Sequence, residues 1–141
     1  MADLTGLPNL VAGDVLEPLS GALIIDYEAE AAVAKGDPVY LSSDGKVSPA
    51  TSAQDCIGIA AKAATIGVVC PVCVRGRVKV TAGGAITRGK AVYGADASKR
   101  VLALADINEG GSATISWTRK LGTSEQSATG AGDLISILVK Q

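Results

Sequence analysis

The stretch Ile66-Gly67-Val68-Val69-Cys70-Pro71-Val72-Cys73-Val74, continuing as Arg75-Gly76-Arg77-Val78-Lys79-Val80, decides how the rest of the chain is read. Its first part is too β-branched, and too apolar on both faces, for a surface helix. It predicts a strand buried on both sides. Pro71 cannot donate a ladder hydrogen bond, which predicts a sheet edge or a bulge near that residue. From Arg75 onward the residues alternate, with Arg75, Arg77 and Lys79 on one face and Gly76, Val78 and Val80 on the other. This half is expected to be buried on one side only.

Working outward, similar short runs predict strands at Leu23–Tyr27, Pro38–Leu41, Ile57–Ala60, Ala91–Tyr93, Val101–Leu104, Ala113–Trp117 and Leu134–Val139. Asp44-Gly45, between Val39-Tyr40-Leu41 and Lys46-Val47, is a tight-hairpin signature, because both residues tolerate the positive φ of a primed turn. Ala82-Gly83-Gly84 and Glu109-Gly110-Gly111-Ser112 read as loops. Glu28-Ala29-Glu30-Ala31-Ala32-Val33 has helix propensity but is short for a helix standing alone, so extended and helical readings both stay open.

A chain of 141 residues suits one domain able to bury a core without metals or disulfides. No apolar run reaches the roughly 18 residues of a membrane-spanning helix. Met1-Ala2-Asp3-Leu4-Thr5-Gly6 has no basic residues ahead of an apolar stretch, so no secretory signal is expected. The net charge of −1 supplies no field for nucleic acid or an anionic membrane, and neither is expected as a partner. With no Phe, one Trp and three Tyr, the core must be filled by Val, Ile, Leu and Ala. Burial between subunits would then supplement stability, and oligomerisation is expected. Cys56, Cys70 and Cys73 are an odd number in a chain without an export signal and read as small buried hydrophobes.

The sequence also repeats itself. Lys35-Gly36-Asp37-Pro38-Val39-Tyr40, followed by Lys46-Val47, recurs about 53 residues on as Arg88-Gly89-Lys90-Ala91-Val92-Tyr93, followed by Arg100-Val101. Ile57-Gly58-Ile59 is echoed by Leu121-Gly122-Thr123, and Ile66-Gly67 through Val74 by Ala131-Gly132 through Val139, with the offset grown to about 65. The growth is assigned to an insertion at Asn108–Trp117. The expected fold is therefore all-β (mainly β): a pseudo-duplicated β-barrel or β-sandwich closing over one shared interior, with an extended N-terminal arm. Residues 1–22 are that arm or a first strand, and 23–141 form a single β domain of two repeats, about 23–80 and 81–141.

The ordered set Gly-Asp-x-Val-Tyr, Gly-Lys-Val, Ile-Gly-Ile-Ala and a valine run before Arg-Gly, met twice between Leu23 and Val139, resembles the capsid-cement or head-decoration family of tailed phages. Lys90-Ala91 in place of the second Asp-x, and the long insertion, depart from that pattern. The resemblance implies a viral structural protein made in the host cytoplasm and carried on the outer capsid surface of the virion. It also implies a homotrimer bound to the major capsid protein. On the residues themselves, no cofactor and no enzymatic activity are expected.

Gly84-Ala85-Ile86-Thr87-Arg88-Gly89-Lys90 has phosphate-loop spacing, but Ala91 stands where Ser or Thr should bind magnesium, and a strand rather than a helix is expected next. Cys70-Pro71-Val72-Cys73 places its sulfurs on opposite strand faces, and with no histidine and only Cys56 remaining a zinc set of thiols and imidazoles cannot be completed. The lack of histidine also removes Ser-His and Cys-His nucleophile systems. Ser42, Ser43 and Lys46 read as hairpin residues rather than a Ser-Lys pair. The rival to a structural role is a biotin- or lipoyl-carrier-like binding module with Lys46 as the attachment site. The candidate interface residues are Arg75, Arg77 and Lys79, whose like charges need anions opposite. Leu7, Leu10, Val11 and Leu16 join them, on an arm suited to strand addition.

Overall fold

The computed structural model describes residues 11–15, 22–104, 107–109, 112–114 and 119–139. It is all-β, with strands β1 (Leu23–Ala29), β2 (Pro38–Ser43), β3 (Lys46–Pro49), β4 (Cys56–Ala60), β5 (Val69–Thr81), β6 (Ala91–Gly94), β7 (Val101–Ala103), β8 (Ile107–Glu109), β9 (Ser112–Thr114), β10 (Gly122–Ser124) and β11 (Leu134–Val139). Nine strands run in the order β1-β3-β2-β4-β5-β11-β10-β6-β7, and β8 pairs with β9 as a separate hairpin. Because β1 also pairs with β5, the first five strands close into a barrel. On the other side, β5-β11-β10-β6-β7 returns to the end of β5 through a parallel bridge between Ala82 and Val101.

β5 serves both sides in turn, and between its two halves the register against β1 slips at Val74 and Gly76 takes φ +124°. Cys70, Val72 and Val74 pack with Ala29, Val33, Val39, Val47, Ala60 and Ala64. Cys73, Val78 and Val80 pack instead with Val92, Val101, Leu121, Ile135, Ile137 and Val139. The expected single interior is thus two interiors. In β4 the neighbours Ile59 and Ala60 likewise go to different clusters, because successive side chains of one strand point to opposite faces.

The backbone bonding recurs along the chain. Ala29 donates to Val68 O at 2.9 Å and accepts from Gly67 at 2.8 Å, while Ala82 donates to Asp133 O and accepts from Gly132, both at 2.8 Å. Val33 and Ala64 exchange two bonds, as do Ile86 and Ala128. Gly36 donates to Ala60 O and Gly89 to Ser124 O, both at 2.8 Å.

Several details depart from the expectations. Pro71 is not at an edge: it lies opposite Asp26 in β1, β5 slips register against β1 three residues on at Val74, and the Pro71 carbonyl accepts from Ala61 at 2.9 Å, one residue past the end of β4. Its nitrogen faces that same side, where the β4 ladder has already ended and no donor is needed. The β2–β3 hairpin forms at Asp44-Gly45, but of the two only Gly45 has positive φ, +71°, and the ladder slips between Leu41 and Ser43. That is a turn with a bulge rather than a primed turn. Glu28 and Ala29 are strand, so the extended reading of that stretch holds. Of the expected strand Ala113–Trp117, β9 covers Ala113 and Thr114, and 115–118 lie outside the described residues.

Candidate docking surfaces

The basic ladder occupies the C-terminal half of β5. Arg75 and Arg77 are exposed and Lys79 half-buried, alternating with buried Gly76, Val78 and Val80. Their counter-groups come from the same chain. Arg77 Nε lies 2.9 Å from Glu125 Oε1. Lys79 Nζ donates to Gln126 Oε1 at 3.0 Å, an oxygen that also accepts the Ser136 N–H at 2.9 Å. Arg75 is engaged as well. Exposed ion pairs of this kind contribute about 0–1 kcal/mol. Arg77→Glu is therefore expected to lower stability by no more than about that amount, with Glu125→Arg restoring it, as read by urea titration. Loss of particle binding by Arg77→Glu that Glu125→Arg fails to restore would mark Arg77 as a direct contact.

Of the proposed arm, Leu7, Leu10 and Leu16 lie outside the described residues, while Val11 is half exposed. The next residues pair with β5: Gly13 donates to Lys79 O at 2.7 Å, Lys79 donates to Asp14 O at 2.9 Å, and Val15 bridges Val78. Asp14 Oδ1 receives Lys35 Nζ at 2.6 Å and Oδ2 receives the Val11 N–H at 2.7 Å. These donors, Lys35 first, hold its carboxyl below the usual range.

The reactive motifs resolve into structure. Cys70 and Cys73 are both buried, in different interiors. Burial pushes the Cys56 thiol up to about 12, so native protein at pH 8 is expected to leave Cys56 unlabelled by a thiol reagent until it is unfolded. Among the described residues no three His, Cys, Asp or Glu side chains gather as a metal set. Lys90 closes a turn by donating its N–H to Thr87 O, and β6 follows directly. Lys46 lies 3.7 Å from Glu28, and the Ser43 hydroxyl donates to Glu30. Tyr40, Leu41, Gln54, Asp55, Ile57 and Arg119 line an open recess.

One surface was missed. Ile66, Val68 and Val69 are 72%, 49% and 57% exposed, although the apolar run predicted them buried. Ile66 and Val68 miss the interior because residues 65–68 turn, with Val68 donating to Thr65 O at 3.0 Å and Gly67 at φ +82°, while Val69 opens β5 on the face opposite buried Cys70. The turn at 130–133 does the same work with polar chemistry, since Asp133 Oδ2 accepts from Thr129 N–H at 2.7 Å and from its hydroxyl at 2.9 Å. Comparing Ile66-Gly67-Val68-Val69 with Ala131-Gly132-Asp133-Leu134 was the available signal, because only the glycine is common to both.

Two small aliphatic interiors that share β5, with an apolar turn exposed at 66–69, define a β-rich fold. The chain belongs to the phage cement protein family, whose model matches residues 19–141. Its fold is similar to the crystal structure of the head fiber gp8.5 N base of bacteriophage phi29, with a TM-score of 0.57 at 15% identity, covering 84% of this chain and 94% of that one. No curated protein matches. The family gives the chain a structural role, associated with the capsid of the virion.

Proposed function

We propose that the chain braces the phage head from outside, as a homotrimer that binds the major capsid protein across seams between its subunits. Made in the host cytoplasm, it would be added to the particle there. The mechanism is mechanical: expansion or rupture of the shell must first break the contacts spanning each seam. An interface of about 1,600 Å² gives useful affinity, and trivalent attachment multiplies it through effective concentration.

The apolar tip at Ile66, Val68 and Val69 carries this reading, because a monomer gains nothing from exposing three large aliphatic groups at one turn. We assign the tip to the capsid contact, with Arg75, Arg77 and Lys79 as a polar flank. The recurring backbone bonds support two copies of one unit that meet inside β5. Electron microscopy of particles with and without the protein tests the proposal. Added density astride capsid seams on the outer surface is expected, and density inside the shell or on the tail would overturn it.

A further inference from the structure

The two barrels treat one equivalent strand edge differently. Beside β5, the outer edge at Val78 and Lys79 is covered by residues 13–15, Val15 packs onto the interior, and Val78 is wholly buried. The matching bonds of Ala29 and Ala82, of Val33 and Ile86, and of Gly36 and Gly89 set Ile25 in the place of Val78 and Asp26 in the place of Lys79.

At that edge of β1 no such cover exists among the described residues. Ala29 bonds toward β5, while the Glu28 N–H turns the other way to Gly45 O. By alternation the backbone groups of Asp26 and Ile24 also face outward. β3 meets β1 only at Glu28 and Ala29. The side chains tell the same story: Ile25 pairs across from the wholly buried Val72 yet is 38% exposed, and Leu23 is 45% exposed. Ile25 lacks what Val15 gives Val78.

We propose that the outer edge of β1 at Ile24–Asp26 receives residues 4–10 of a second copy of this chain by strand addition, linking copies head to tail into a closed ring. This rests on the oligomer in the proposed function. Residues 13–15 already pair with β5 in this manner, and residues 1–10 at the start of the chain can span roughly 30 Å when extended, enough for an edge of about 20 Å. Leu4, Leu7 and Leu10 supply apolar contacts. Pro8 sets the register: its missing N–H is harmless only where the nitrogen faces away from β1, opposite Ile25, as Val15 stands opposite Val78. Where the rotation between copies closes, head-to-tail giving of a strand forms a ring in which every such β1 edge is paired.

The test is a Pro8→Cys, Ile25→Cys double variant of the full chain, because a directly opposed pair at such a position has Cα atoms close enough for a disulfide. Mild oxidation is expected to give covalent dimers and trimers on a non-reducing gel, and neither single variant should do so. A monomer band with both thiols consumed would show the segment folding onto its own β1 and overturn the second copy as donor. Unreacted thiols would overturn the docking. Deleting residues 2–10 is expected to leave the thermal midpoint within a few degrees and reduce the solution mass to that of one chain, and an unchanged mass would also overturn the proposal. Particle binding by the double variant is scored separately, so protein that decorates heads without inter-chain cross-links sinks this inference and spares the capsid role.

Discussion

Alanine at Gly58 or Gly122 is expected to lower stability by about 3 kcal/mol, and valine at either site to yield insoluble protein. A Cβ on Gly58 would stand 2.3 Å from Cys73 O and 2.8 Å from Val72 Cγ1, and one on Gly122 would stand 2.3 Å from Leu138 O. Both obstacles include backbone, so a rotamer change cannot relieve them. β4 would have to move off β5, or β10 off β11, opening a barrel in either case. Gly130→Ala is the control: nothing lies within 4 Å of its Cβ, and its effect should stay within about 0.5 kcal/mol. Thermal unfolding followed by circular dichroism reads all three. A Gly58→Ala midpoint equal to the wild type would mean that β4 does not approach β5 this closely.

The second large effect is on attachment. Ile66→Asp with Val69→Asp is expected to leave the unfolding transition in place, since both side chains stand outside the interiors, while particle binding weakens by roughly 100-fold or more. Each aliphatic group buried in an interface contributes about 1.5–3 kcal/mol, and each 1.4 kcal/mol is tenfold in affinity. Multivalent attachment compounds the loss. Sedimentation of particles with titrated protein measures it. Full occupancy by a well-folded double variant would remove the tip from the capsid contact.

The contrast between these sites shows where local pattern was informative. Alternation in Arg75–Val80 placed three charges outward and Val78 and Val80 inward, and Asp44-Gly45 located its hairpin, because both depend on backbone preferences over a few residues. Ile66–Val69 misled, since an apolar run looks the same whether it lies inside a barrel or caps its end. Glu125, which meets Arg77, lies 48 positions along the chain, and nothing near either residue announces the pair.

What the amino-acid order determined by itself was the strand content, the repeated Gly turns at 36 and 89, and an interior built from Val, Ile, Leu and Ala rather than aromatics. Short-range sterics and the two-residue period of a strand suffice for those. Tertiary structure alone decided that β5 is shared, that Cys70 and Cys73 enter different interiors, and that residues 13–15 cover β5 while the like edge of β1 meets no described partner. The physical reason is that barrel closure and edge pairing join residues far apart in the chain, and which partner wins depends on three-dimensional proximity that no local pattern encodes.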